Sequence, residues 1–156
     1  MSIAVSGRYA AIAATTATDR ALGMIVAAGL LIAAATHIEL ALSHGLSIFA
    51  GLAFAAGCAQ ALLAVVAVLR PSTVALRATV LLSLVLIQLY ALNVTTGLPP
   101  VIAHSHVPGT HSLLGLTLAD PNTVDPQGVI AQICQLVAAA SGGLLQSRSG
   151  ATVRAV

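Results

Sequence analysis

The chain has 156 residues, of which 58% are hydrophobic and 6% charged, with a mean hydropathy of +1.02 and a formal net charge of +2. Soluble domains carry about 25% charged residues, so this composition excludes an ordinary water-soluble fold and points to a lipid bilayer. All six basic residues are arginines, and the pI of 8.9 reflects a scarcity of acids, not a basic surface that would mark a nucleic-acid site.

Residues 1–20 are rich in Ala and Thr with no strong period, and they read as a cytoplasmic or interfacial tail. Arg20 followed by an apolar stretch ending in "IAAAT" has some of the pattern of a secretory signal. The segment before it, however, is too long and too poor in basic residues to be an n-region, so the stretch is expected to stay as a membrane span. Crossing the hydrocarbon takes about 20 apolar residues, and four such runs occur, at 21–36, 48–69, 76–94 and 128–145. Apart from Arg77 at the very start of the third, they hold no Asp, Glu, Lys or Arg, each of which costs about 2.5 to 3.5 kcal/mol at mid-span. The first run is short and can extend past His37 toward Leu42, and the fourth is interrupted by Gln132 and Gln135.

The expected fold is therefore all-α, a polytopic four-transmembrane-helix bundle over residues 21–146, with loops at 37–47 and 95–127 and a tail at 147–156. Arg8 and Arg20 precede the first span, Arg70 and Arg77 flank the link between the second and third, and Arg148 and Arg154 follow the fourth. Because short cytoplasmic loops hold the excess of arginine, both termini are expected in the cytoplasm and both longer loops outside a plasma (inner) membrane. Cys58 and Cys134 lie inside spans, where a thiol behaves as a small hydrophobe and not as half of a disulfide.

Lipid tails are as apolar as leucine, so spans associate through small residues and a few hydrogen bonds. Gly29 and Ala33, then Ala53, Gly57 and Ala61, then Ala138 and Gly142 form rows of small residues four apart on the first, second and fourth spans. The third span is bulkier and is expected to face lipid on one side. Gln60, Gln88, Gln132 and Gln135 present amides that hydrocarbon cannot satisfy, so they should point inward or toward a partner chain. Interhelical hydrogen bonding is the plain reading, and a polar path or ligand site is the functional alternative. Absence of any carboxylate within the spans argues against an ion pathway. With no Trp and few other aromatics, the interfacial belt is thin; Tyr9 and Tyr90 serve locally.

The polar interest of the chain lies in "VIAHSHVPGTH", which holds three of its five histidines. His104 and His106 are two apart, which in an extended segment places both rings on one side, and Pro99, Pro100 and Pro108 exclude regular helix there. His37 and His44 are seven apart, about 10 Å along a continuing helix. A first shell of His104 and His106, completed by His111, His37 or His44, would suit copper or zinc. Interfacial loop residues and a pH sensor are the competing readings. Asp120 and Asp125, each followed by Pro, signal turns, and Asp125 with Pro126 forms a helix start. "SLLGLTL" reads as a short re-entrant or interfacial segment.

The order of these pieces resembles a group of small four-helix membrane proteins common in actinobacteria. The resemblance covers roughly residues 21–145 and is carried by His37 at the end of the first span, Gln60 within the second, Arg70 with Pro71, and Gly97 to Pro99. Members often have an acidic residue in the last span where this chain has Gln135, and a single loop histidine where this one has three. It implies a topology and no activity. The functional expectation is a non-catalytic accessory or scaffold subunit of a larger membrane complex, or a homo-oligomer. The alternative is an outward-facing copper or zinc binder supporting a membrane metalloenzyme. No nucleophile with a base, paired carboxylates or phosphate-binding loop suggests catalysis.

Overall fold

The structure, a computed structural model, describes residues 3–100, 109–113 and 116–154. Four helices dominate it: α1 (Ile3–Ser43), α2 (Ile48–Leu69), α3 (Thr73–Thr95) and α4 (Pro126–Arg154). Each contains a segment long and apolar enough to cross a membrane, namely Thr16–Ser43, Ile48–Leu69, Thr73–Thr95 and Pro126–Ser149. A short antiparallel hairpin, β1 (Thr110–Leu113) with β2 (Leu116–Ala119), precedes α4 and pairs His111 with Leu118. The chain is thus a four-helix bundle of a multi-pass membrane protein.

Helix α1 runs unbroken from Ile3 through Ser43, so the first span does extend past His37, into part of the expected 37–47 loop, and Gly45, with a φ of 60°, follows its end. The strands β1 and β2 take up most of the stretch read as a re-entrant or interfacial segment. The hairpin is anchored where Ala119 N donates to Leu98 O at 2.8 Å and Asn122 N donates to Asn93 O at 3.0 Å, fastening the connection to the end of α3. Pairing with a backbone that already stands free satisfies groups that a half-span in lipid would leave exposed.

Side chains cap the helices as their sequences dictate. Ser47 accepts from Ala50 N at 3.0 Å, Ser72 from Ala75 N at 3.1 Å, and Asp125 Oδ1 from Gly128 N at 2.5 Å. The last of these confirms Asp125 as the N-cap with Pro126 in the first turn, where its missing N–H costs nothing.

Burial is not sorted by polarity. Leu31, Leu62, Leu81 and Leu136 are 51%, 65%, 64% and 59% exposed, whereas the interior is rich in alanines such as Ala33, Ala64, Ala67 and Ala138 and holds Gln60, Thr79, Ser83 and Gln135 beside a few large apolar side chains, Val26, Leu30 and Leu76. A soluble bundle does the reverse; this arrangement suits a solvent as apolar as leucine, where close backbone approach drives association. Helix α1 is the central strut, packing along both α2 and α4; α3 packs on α4 and touches α2 much less. Glycines on the α1 and α2 seams permit the closest contacts. A Cβ on Gly29 would stand 2.7 Å from the Cys134 carbonyl oxygen, and one on Gly57 would stand 2.7 Å from Ile38 Cγ1 and 3.0 Å from the Ala34 carbonyl oxygen. At the end of the bundle that carries Arg20, Arg70 and Arg77, Arg148 Nε meets Asp19 Oδ1 at 2.9 Å and ties α4 to α1.

Candidate functional site

At the end away from the arginines, residues of all four helices line a half-open cavity of about 440 Å³. Its walls include both α2 and α3, the neighbouring helices that touch least. The apolar lining comes from Leu40 of α1, Phe49 and Leu52 of α2, and Leu86 and Leu89 of α3. Polar groups interrupt that lining at His37 of α1, at His44 in the turn that follows it, at Tyr90 and Asn93 of α3, and at Gln132 of α4. Asn122 and Asp125, in the connection between β2 and α4, also contribute to the lining. Neither Arg nor Lys borders the cavity.

The helical continuation of α1 beyond residue 36 is what delivers both histidines. His37 Nδ1 lies 2.7 Å from the Ala33 carbonyl oxygen. A carbonyl only accepts, so Nδ1 carries the proton, and in the neutral ring Nε2 is left as an acceptor. His44 is held the same way, with Nδ1 2.6 Å from the Leu40 carbonyl oxygen and its ring edge-on to Phe49 at 5.6 Å. On the opposite wall, Gln132 Oε1 is shut off from solvent with no hydrogen-bond partner, and the Tyr90 hydroxyl, equally shut off, lies against Asp125.

A second polar zone lies deeper. Gln60 of α2, Ser83 of α3 and Gln135 of α4 are each 0% exposed, and their side-chain nitrogen and oxygen atoms have no hydrogen-bond partner. Gln60 sits between Gly57, which faces Ala34 and His37, and Ala64, which packs with Val26, Ala27 and Leu30; Gln135 lies beside Cys134 and Ala138, which face Gly29. Both amides are thus about one helical turn below the cavity-lining residues Ala56, Ala131 and Gln132. The interhelical bonds expected of them are not formed. Gln88 points elsewhere: it stands five residues, about 140°, around α3 from Ser83 and is exposed on the outer face of the bundle.

Among the histidines considered as metal ligands, His37 and His44 line the cavity, while His104 and His106 lie outside the described residues. His111 is placed by its backbone in β1. Among the described residues, no group of three or more His, Cys, Asp or Glu side chains is brought together as a metal-binding set. Asn93, Asn122 and Tyr90 are the cavity residues that sequence reasoning passed over as site candidates. Their signal was positional, since polar residues at the ends of apolar helices opposite the arginines converge on one end of any antiparallel bundle.

Compared with protein-family models, curated proteins and solved structures, the chain matches none.

Proposed function

We propose that the chain is a non-catalytic membrane protein that binds a small lipid-soluble molecule in the cavity at the histidine-bearing end of its bundle. The observation that carries this reading is the cavity itself. Small residues elsewhere bring the helices into close contact, yet here about 440 Å³ stays open, walled by all four helices and holding a sequestered polar atom without a partner, Gln132 Oε1. That volume lies within the range of about 300 to 1,000 Å³ typical of ligand pockets, and a mostly apolar lining with a few convergent polar groups is their usual chemistry. The arginine distribution favours an orientation in which this end faces outward across a plasma membrane.

Binding is tested with N-phenyl-1-naphthylamine, a neutral fluorophore, added to the protein in lipid nanodiscs beside Ala131→Phe, which fills the cavity from α4. Saturable one-to-one binding that the variant loses supports the reading. Partitioning that does not saturate, or equal binding by both proteins, overturns it.

A second reading, an accessory subunit docked on a larger membrane complex or on another copy of itself, is favoured by Gln88. An amide facing hydrocarbon is costly, and α3, on which it is exposed, has the smallest buried share of the four helices at 17%. A partner helix against α3 would give that amide a hydrogen bond. Site-directed crosslinking from Gln88→Cys in native membranes, with Leu62→Cys on α2 as the lipid-facing control, tests this. A discrete adduct from position 88 alone supports docking through α3, and identical behaviour of the two positions counts against it.

A further inference from the structure

We infer that the molecule taken up by the cavity is a neutral, lipid-soluble alcohol or phenol whose hydroxyl is received by Gln132, Tyr90 and His37. This rests on the binding reading above and specifies its ligand class. Charge is the first discriminator. With neither Arg nor Lys on the walls, a phosphate or carboxylate would enter an apolar chamber with no cation to meet it, and burial of an uncompensated charge is prohibitive. Phospholipids and fatty acids are therefore poor occupants. A cation fares little better, because Asp125, the one carboxylate on the lining among the described residues, is exposed and one of its oxygens already accepts from Gly128 N.

Hydrogen-bond polarity is the second discriminator. Gln132 Oε1 is a buried acceptor with no donor, and His37 Nε2 is an acceptor because Nδ1 spends its proton on Ala33. The Tyr90 hydroxyl, shut off from solvent, lies against Asp125, whose backbone N–H it can accept while its own proton stays available to donate. A ligand that brings an O–H satisfies Gln132 or His37 with its proton and Tyr90 with its lone pair. A ligand with acceptors alone leaves the amide oxygen and the imidazole nitrogen unpaired. Between these groups the walls are leucines, Leu40, Leu86 and Leu89 among them, which suit a hydrocarbon or ring body.

The test uses the protein in nanodiscs and four probes of similar shape, 4-octylphenol, its methyl ether 4-octylanisole, 4-octylbenzoate and 4-octylbenzylamine, each displacing N-phenyl-1-naphthylamine. The phenol is expected to bind at least about tenfold more tightly than the ether, which has lost only the donor, and than either charged probe. In Gln132→Leu the phenol-to-ether ratio is expected to fall toward one while the ether keeps its affinity, which separates lost recognition from a damaged fold; in Tyr90→Phe, which removes the donor to an oxygen that both probes carry, phenol and ether are expected to weaken together. Comparable affinity for phenol and ether in the wild type, or a preference for either charged probe, overturns the assignment of ligand class and leaves cavity binding standing. Failure of the fluorophore and all four probes to bind saturably overturns both.

Discussion

Replacement of Gly29 by alanine isolates the close packing on which the bundle depends. A Cβ built there stands 2.7 Å from the carbonyl oxygen of Cys134 and 3.3 Å from the Ala138 Cβ. Both neighbours belong to α4, and the oxygen is backbone, so relief requires α1 and α4 to move apart and cannot come from a side-chain rotation. Overpacking of this kind costs about 1 to 3 kcal/mol. In the bilayer the loss is compounded, because helix association there rests on van der Waals contact between close backbones. Gly51 and Gly143 provide internal controls, since a Cβ at either meets nothing within 4 Å. There the change to alanine should be neutral or stabilising by up to about 1 kcal/mol, as expected for helix propensity. Unfolding in mixed micelles by titration with SDS, followed by circular dichroism, gives the three values side by side. Equal effects at Gly29, Gly51 and Gly143 would refute the reasoning, because the seam between α1 and α4 would then not be the tight contact described.

Further outcomes follow from the polar groups. Gln60→Met, which keeps the length of the side chain and removes two buried atoms without partners, is expected to leave stability unchanged or raise it in the same SDS titration, because an orphaned amide costs about 1 to 3 kcal/mol; a clear loss would mean that the amide has a partner in the folded protein. Asp125→Ala removes the cap on Gly128 N and should lower stability by about 0.5 to 2 kcal/mol, read by the same unfolding assay; Asp125→Asn should retain most of it. Arg148→Ala at the half-exposed pair with Asp19 should cost at most about 1 kcal/mol, shrinking as salt is raised. A larger, salt-independent loss would show that the pair is more shielded than its exposure indicates.

The helices were legible in the sequence because bilayer chemistry is written locally. A run of apolar residues without charge specifies a span wherever it falls, and small residues four apart at Gly29, Ala138 and Gly142 mark seams without knowledge of the partner. Asp125 with Pro126 was equally legible, since a cap needs only its own first turn. The extension of α1 past His37 was legible in outline, because "THIELALS" is helix-compatible, although its end at Ser43 before Gly45 was not fixed. The hairpin was not read because its strands are only four residues each and its tether to Leu98 and Asn93 is not local. The cavity is the extreme case. His37 and Gln132 were singled out for their chemistry, and their position opposite the arginines places them with Tyr90 at one end of the bundle, but which of these side chains line a shared space is set by the packing of α1, α3 and α4.

Photolabelling with a neutral diazirine-bearing alkylphenol in nanodiscs, followed by peptide mass spectrometry, locates the bound molecule on the chain. The account predicts label on Leu86 or Leu89 of α3 and around Ala131 of α4, removed by excess 4-octylphenol and absent from Ala131→Phe. Label confined to outward residues such as Leu62 and Leu81, and unaffected by the competitor, would contradict it, since the molecule would then be dissolved in the lipid around the bundle and not held within it.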